Sequence, residues 1–263
     1  MSNFKDVLSD VRVAFKEYYL WTTLGWYDVL ARYRRSTLGP FWITLSMAIT
    51  LSAMGPLYGS LFGNTLTDFI PHLALGMIFW ALIATSINEF AVAYAESAHY
   101  LKQIKISPVV FILRVLYRQF IVFLHNILLY PIIMLIFWKP ISLDAFLVIP
   151  AFFIVLLNLF WVGIIISIFC TRYRDMGPVV SSITTLLFFV TPIIWSMEQL
   201  PEDRRFLAYW NPLSILLDLV RKPLLGGVPE FNHWIVGIMM AIVGIMMALL
   251  VLMRTRHRIT YWL

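Results

Sequence analysis

The sequence contains little charge and almost no cysteine. Only 13% of its 263 residues are Asp, Glu, Lys or Arg, whereas a soluble domain has about 25%. The single cysteine, Cys170, excludes an internal disulfide framework and any metal motif that needs two cysteines. The five histidines are scattered along the chain, so we expect no metal site. Apolar residues are abundant instead: 61% of the chain is hydrophobic, and ten residues are Trp.

Familiar motifs of catalysis and nucleotide binding are also absent. The sequence has no G-x-x-x-x-G-K-[ST] phosphate loop, no H-E-x-x-H and no G-x-S-x-G. We therefore predict that the chain is not an enzyme and holds no cofactor, so that any ATP and Mg bind to a separate chain. Residues 1–20 carry mixed charge without a continuous apolar core, so we expect no signal peptide. The net charge of +6 does not indicate nucleic-acid binding, because the charges lie between apolar runs.

Long stretches without charge predict membrane spans. A helix that crosses the bilayer needs roughly 20 apolar residues. Six stretches qualify, at residues 36–67, 69–88, 119–138, 145–171, 176–197 and 231–253. The sequence therefore predicts an all-α polytopic membrane protein with six transmembrane helices. A seventh apolar stretch, 206–217, is too short to cross and is split by Asn211-Pro212, so we predict re-entrant external half-helices between spans five and six.

The distribution of basic residues predicts the orientation. Lys and Arg beside a span favour the cytoplasmic side. With both termini in the cytoplasm, fifteen of the twenty Lys and Arg residues lie inside. The five that remain outside are Lys139, Arg204, Arg205, Arg221 and Lys222. The opposite orientation would invert this asymmetry.

The segment before the first span combines an amphipathic helix with a basic collar. Residues 3–20 repeat apolar side chains at helical spacing, as in helices that lie in the membrane interface. Arg32, Arg34 and Arg35 then precede Gly39-Pro40, and Pro40 suits the first turn of the first span. We thus expect one transmembrane domain over 1–263. Residues 1–40 form the cytoplasmic interface helix and collar, 41–253 the six-span bundle, and 254–263 a cytoplasmic tail.

Two further patterns concern packing and contacts. Gly55, Gly59 and Gly63 recur every fourth residue, which predicts close helix packing without naming the second helix. In the predicted cytoplasmic stretch 89–118, we expect a short helix from about Glu96 to Ile104, ended by Ser107-Pro108. It is either a solvated loop or a surface for a protein partner. Polar residues inside spans are predicted to form interhelical hydrogen bonds: His125, Asn126 and Asn158.

The order of several short motifs resembles a known family. They are Arg32-Tyr33-x-x-Ser36-x-Leu38-Gly39-x-x-Trp42, Leu101-Lys102-x-x-Lys105-x-x-Pro108, Arg172-x-Arg174-Asp175, Thr191-Pro192, Asn211-Pro212-Leu213 and Arg256-His257-Arg258-Ile259-x-Tyr261-Trp262. In this order they resemble the membrane subunit of type-two ABC exporters. The similarity is to the polysaccharide-export branch, which includes O-antigen (Wzm-like), capsule and teichoic acid permeases, and it covers nearly the whole chain.

The resemblance implies partners and roles. It implies a homodimer in the bacterial inner membrane, bound to two copies of an ATP-binding protein and contacting membrane lipid. The cargo implied is a lipid-linked (undecaprenyl diphosphate) polysaccharide, with O-antigen favoured. The residues implied are Arg32, Arg34 and Arg35 at the substrate entrance, Glu96, His99, Lys102 and Lys105 for coupling to the ATPase, and Tyr209, Trp210, Asn211 and Pro212 in a periplasmic gate.

Aromatic residues are candidates for the channel lining, because their flat rings offer large, rigid contact area to sugar C–H faces. These candidates are Phe41, Trp42, Tyr58, Phe188, Phe189 and Trp195. The alternative is an aromatic belt at the membrane interfaces. The three arginines likewise either meet a diphosphate or set topology and bind anionic lipid.

Three other functions remain open from the sequence. The first is export of capsule, teichoic acid, lipid or a drug by the same fold. The second is an intramembrane transferase that uses Glu89 and His99, and the third is a passive channel.

Overall fold

The structure is a computed structural model that describes residues 4–34, 36–37, 39 and 41–263, apart from the side chain of Leu207. The roles predicted for Arg35 and Pro40 lie outside these residues. The described chain is helical, without a strand. Its helices are α1 (Phe4–Lys16), α2 (Tyr18–Tyr33), α3 (Phe41–Leu61), α4 (Leu66–Glu96), α5 (Ala98–Gln103), α6 (Val109–Ile127), α7 (Leu129–Ile136), α8 (Val148–Arg172), α9 (Met176–Val190), α10 (Phe206–Tyr209), α11 (Pro212–Leu224) and α12 (Phe231–Trp262). Short 3-10 turns cover Leu143–Leu147, Met197–Gln199 and Glu202–Arg204.

Five helical segments among the described residues are long and apolar enough to cross a membrane. They are Phe41–Leu61, Leu66–Gln103, Val109–Ile136, Leu143–Arg172 and Phe231–Trp262. The all-helical, multi-pass membrane fold predicted from the sequence is therefore confirmed. The predicted span 176–197 instead forms the 15-residue helix α9, about 22 Å long against a bilayer core of about 30 Å. It ends because Thr191, which precedes Pro192, adopts an extended conformation.

Charge was a poor guide to where the helices begin and end. The predicted cytoplasmic stretch 89–118 is wrong as a loop, because α4 continues through Glu89 to Glu96 and α6 begins already at Val109. Ion pairs with other helices neutralise the charges that suggested the loop. Only α5 and residues 104–108 connect the two helices, so the helix expected from Glu96 to Ile104 exists but is shorter.

Helix α4 occupies the centre of the bundle. It packs against α3, α6, α8 and α9, and 67% of its most apolar stretch is buried, compared with 11% in α3. Phe79 lies 5.2 Å from the ring of Phe123, which stacks at 4.7 Å on Phe152 of α8. The core therefore sits between α4, α6 and α8, while α3 lies on its flank.

The glycines of the first span pack against the next helix. A Cβ added at Gly55 would lie 2.9 Å from Ile70, and one at Gly59 would lie 3.1 Å from Leu66. The predicted close approach is thus confirmed, and the partner is α4. Gly63 has a different role, because its φ of +68° belongs to the turn after α3.

The polar residues inside spans only partly follow the prediction. Asn158 donates to the carbonyl oxygen of Gly237 at 3.1 Å and so joins α8 to α12. His125 bonds within its own helix, to the carbonyl oxygen of Ile121 at 2.8 Å. Asn126 is buried, and its Oδ1 has no partner among the described residues. The interhelical bond is therefore confirmed for Asn158 alone.

Both ends of the chain are more helical than expected. The amphipathic segment forms α1, with Val7 and Ala14 buried, and a second helix, α2, follows it. The predicted tail 254–263 continues α12 without a break to Trp262. Asp10 and Arg256 form an ion pair at 2.9 Å, which ties α1 to the last turns of α12.

Candidate functional site

An ion-pair network joins α2, α4 and α6 near the end of the bundle that carries α5. Arg114 holds Asp28 with two hydrogen bonds of 2.7 and 2.6 Å. Arg118 donates to Asp28 at 2.9 Å and to Glu89 at 2.6 Å. Arg32 completes the group with a bond of 3.0 Å to Glu89. We call these five residues the α2 cluster.

The α2 cluster changes the interpretation of the basic collar. Burial disfavours the charge of Arg32, but the hydrogen bond and the charge of Glu89 outweigh it and raise the pKa of Arg32. This residue therefore carries a charge that is partly neutralised by Glu89. Arg34 is exposed beside it, and Arg35 lies outside the described residues. Sequence reasoning missed Asp28 and Arg114, although charged side chains at the edges of apolar stretches are a usable signal for such pairs.

The predicted coupling residues surround α5 and face outward. Glu96 ends α4, while His99 and Lys102 lie in α5, and all three are exposed together with Lys105. Leu101 is buried and anchors the helix. Helix α5 contacts both α4 and α12.

The predicted lining aromatics divide between two flanks of α4. Phe41 and Trp42 are exposed on α3, where Tyr58 is half-buried and stacks at 6.1 Å on Phe62. Helix α3 packs on α4 and α6, whereas α9 packs on α4 and α8. The two groups of aromatics therefore do not enclose a path within one chain.

On α9, one of the aromatics packs inward and the other faces outward. Phe188 contacts Trp80 of α4 at 5.8 Å, while Phe189 is exposed. Trp195 is half-buried beyond the end of the helix, and its indole Nε1 donates to the carbonyl oxygen of Phe189 at 3.2 Å. This bond holds the segment after Pro192 against the end of α9.

The predicted gate residues form the turn that leads into α11. The Asn211 side-chain oxygen accepts from the amide of Leu213 at 2.9 Å and caps α11, while Pro212 occupies the first turn. The Asn211 amide also donates to Thr191 at 3.0 Å, so the cap is attached to the end of α9. Tyr209 and Trp210 are exposed before this turn. The predicted turn at Asn211-Pro212 is confirmed.

Helix α11 is held in place by a second buried cluster. Arg221 donates to the carbonyl oxygen of Pro192 at 2.6 Å and to Asp218 at 2.8 Å. Its Nη1 also lies 3.1 Å from Nε2 of His72, in the second turn of α4. We call His72, Asp218 and Arg221 the α11 cluster. Sequence reasoning placed Arg221 among the external charges and missed the cluster, although the Asp218–Arg221 spacing of three residues was a visible signal.

Comparison with known proteins identifies the family. Residues 19–225 match the model of the ABC-2 type transporter family. The chain belongs to this family. It is 22% identical over 220 residues to an O-antigen export system permease protein RfbA of Klebsiella pneumoniae, covering 82% of this chain and 85% of that protein. A second Klebsiella pneumoniae protein of the same name is 25% identical over 224 residues, with the same coverage.

A relative with a different named cargo matches as well. The polysialic acid transport protein KpsM of Escherichia coli is 22% identical over 205 residues, covering 76% of this chain and 79% of that protein. The resemblance to polysaccharide-export permeases found in the sequence is therefore confirmed. As an ABC-2 family member with five long apolar helices, the chain is a multi-pass transporter subunit.

Proposed function

We propose that this chain is the permease subunit of an ATP-driven exporter that moves a lipid-linked cell-surface polysaccharide, most closely an O-antigen, across the bacterial inner membrane. The observation that carries the proposal is the pair of uncovered aromatic faces on α3 and α9. Phe41 and Trp42 are exposed on one, and Phe189 is exposed on the other. The names of the relatives supply the class of cargo.

A homodimer would turn these faces into a passage. Symmetric dimers use the same surface on both subunits, and only 11% of the apolar stretch of α3 is buried within one chain. Two copies facing each other would bring two α3 and two α9 faces around one axis. Aromatic rings pack on sugar C–H faces over a broad area, so a glycan could slide without meeting a deep binding well.

The surface around α5 is the proposed contact with two copies of an ATP-binding protein. Its exposed charges are Glu96, His99, Lys102 and Lys105. ATP binding can move the permease only if the partner binds two permease conformations with different affinity. The contacts of α5 with α4 and α12 offer a route for that difference into the bundle.

The remaining elements fit the proposed direction of transport. Both termini and α5 would lie in the cytoplasm, where Arg34 could meet the diphosphate of an undecaprenyl-linked glycan. The segment 198–227 would dip into the membrane from the periplasm and act as a gate. Helix α9 together with residues 191–196 would make the sixth crossing.

The two alternatives are export of a different cargo and an enzymatic activity. The similarity to KpsM favours capsule as the second candidate cargo, before teichoic acid, lipid or drug. An intramembrane transferase that uses Glu89 is disfavoured, because Arg118 and Arg32 already bind both oxygens of its carboxylate.

The decisive experiment removes the gene from cells that still make the glycan. We expect finished polymer to accumulate on its lipid carrier inside the cell and to disappear from the surface. Expression of the intact gene should restore the surface polymer. An unchanged surface coat without accumulation would exclude polysaccharide as the cargo.

A second experiment addresses coupling. We expect Lys102→Glu with Lys105→Glu to lower the stimulated ATPase activity of the assembled complex about tenfold or more, because the charge of the partner-binding surface is reversed. Arg12→Glu with Lys16→Glu makes the same double change on exposed residues of α1 and should leave activity unchanged. Wild-type ATPase activity in the Lys102→Glu, Lys105→Glu variant would contradict the assignment of α5.

A further inference from the structure

A polar cavity opens at the end of the bundle that carries α11. It measures about 280 Å³ and is lined by residues of α4, α11, the start of α12 and the segment 192–198. Three carboxylates line it, from Glu198, Asp218 and Glu230, together with the cations Arg221 and Lys222. The cavity is therefore mixed in charge, with one more acid than base.

The more exposed charges of the cavity lie at its rim. Arg221 and Asp218 bind each other and are buried. Lys222 is more exposed, at 3.5 Å from Asp218 and 4.0 Å from Glu230. A hydrogen bond from its own backbone amide lowers the pKa of Glu198, which keeps this carboxylate charged. A ligand would thus meet an ammonium group and two carboxylates close together.

An apolar groove leads away from this cavity along α12. A second cavity of about 480 Å³ shares Tyr209 and His233 with the first. A third, of about 420 Å³, shares three residues with the second and reaches Met247. We call the second and third cavities together the α12 groove. From His233 to Met247 it follows the helix for about 21 Å.

At Gly244 the Trp161 ring packs so closely against α12 that any larger residue would collide with it. One detail of the site favours a bound molecule over a merely uneven surface. His233 stands at the junction of the polar cavity and the groove and is 8% exposed. Its Nδ1 has no hydrogen-bond partner among the described residues, although buried polar atoms are rarely left without one.

We propose that the cavity and the α12 groove together hold one phospholipid with a zwitterionic, primary-ammonium headgroup. Its ammonium lies near Glu198 and Glu230, its phosphate near Lys222, and one acyl chain follows α12. An ammonium group donates three hydrogen bonds and suits carboxylates. The surplus of acid disfavours an anionic headgroup, including the diphosphate of a lipid-linked glycan. The groove also borders the proposed gate, because Tyr209, Trp210 and Pro212 line it.

The position of the groove is compatible with the dimer proposed above. Helix α12 packs on α8 and α11, whereas α3 packs on α4 and α6. The groove and the aromatic face of α3 therefore lie on different flanks of the bundle. The lipid proposal does not depend on the nature of the cargo.

Native mass spectrometry of the purified full-length protein tests the proposal. The protein is mixed with equal amounts of phosphatidylethanolamine and phosphatidylglycerol. We expect one phosphatidylethanolamine to remain bound per chain, with an affinity about tenfold above that for phosphatidylglycerol. Equal retention of the two lipids, or a preference for phosphatidylglycerol, would overturn the proposal.

Matched variants locate the site. Val243→Trp fills the groove and should weaken retention of phosphatidylethanolamine about tenfold, with Met239→Trp as a second groove variant if the first does not fold. Ile242→Trp changes an equally exposed residue of α12 that does not line the groove, and it should retain the lipid. Glu230→Lys gives the cavity a surplus of base and should reverse the preference toward phosphatidylglycerol. Equal effects of Val243→Trp and Ile242→Trp would place the lipid elsewhere.

Discussion

The α11 cluster and the α2 cluster use the same chemistry in different surroundings. In the α11 cluster, Arg221 binds Asp218 of its own helix and reaches His72 of α4. In the α2 cluster, arginines and carboxylates join α2, α4 and α6. In the α11 cluster, the side chains of Arg221 and Asp218 are 6% and 8% exposed. In the α2 cluster, exposure rises from 11% for Arg118 to 19% for Glu89 and 47% for Arg32. Water therefore reaches the α2 cluster and hardly reaches the side chains of Arg221 and Asp218 in the α11 cluster.

This difference predicts different mechanical roles. Removing one partner of a buried ion pair leaves an uncompensated charge, at a cost of several kcal/mol. Where water can replace the lost partner, the cost falls below about 1 kcal/mol. The α11 cluster should thus fix α11 firmly to the ends of α9 and α4. The α2 cluster, with Arg32 at its wet edge, can loosen without unfolding the bundle.

The largest effect is expected from Arg221→Ala. It removes the guanidinium from buried Asp218, which keeps only Lys222 at 3.5 Å, and it removes the donor to the Pro192 carbonyl oxygen. We expect the free energy of unfolding to fall by about 3 kcal/mol, measured by denaturation in detergent micelles. Arg204→Ala is the matched control, because that side chain is 69% exposed. A loss no larger than that of the control would mean that the buried pair does not hold α11.

A smaller effect is expected from Arg118→Met in the α2 cluster. This change removes hydrogen bonds to both Asp28 and Glu89 and should lower the free energy of unfolding by about 2 kcal/mol. Arg32→Gln, at the wet edge of the same cluster, should lower it by less than about 1 kcal/mol. If Arg32→Gln were as harmful as Arg118→Met, exposure would not explain the difference between the clusters.

A double-mutant cycle separates the pair from its surroundings. Combining Arg118→Met with Glu89→Gln should give a coupling energy of about 0.5–3 kcal/mol, because the two side chains are in direct contact. Additive losses would mean that the two residues act independently.

The two clusters also show which features of the fold could be predicted from the sequence and which could not. Charge-free stretches identified the apolar helices, because burial in lipid requires such stretches whatever the packing. Charge failed as a marker of helix ends. Asp28 and Arg118 are 90 positions apart, and no local pattern shows that they pair. Once paired, Arg118 is tolerated inside α6 and Glu89 inside α4.

Some features of the candidate site could likewise be predicted from the sequence, and others could not. The turn at Asn211-Pro212 and the helix around Lys102 follow from local chemistry, since capping and proline act on neighbouring residues. The early end of α9 could have been predicted from Pro192. The contact of Arg221 with His72 could not, because it depends on how α11 lies against α4. Which aromatics would face the proposed passage depends on how a second copy of the chain would pack, and this arrangement does not follow from local sequence patterns.

The smallest effect is expected from the ion pair between Asp10 and Arg256, which has intermediate exposure. Burial raises the pKa of Asp10, and the attraction of Arg256 only partly opposes this. A carboxyl whose pKa is raised by folding stabilises the protein at low pH and loses that contribution as the pH rises through the raised value.

Asp10→Asn should therefore match the wild type in acid and exceed its stability at neutral pH, by less than about 1 kcal/mol. Thermal unfolding of both proteins between about pH 3 and pH 8 measures the difference. Arg256→Gln sharpens the test, because without the guanidinium the pKa of Asp10 rises further and the charged carboxylate costs more stability at neutral pH. Lower stability of Asp10→Asn at neutral pH would show that the ion pair outweighs burial, and that partial exposure alone does not rank these clusters.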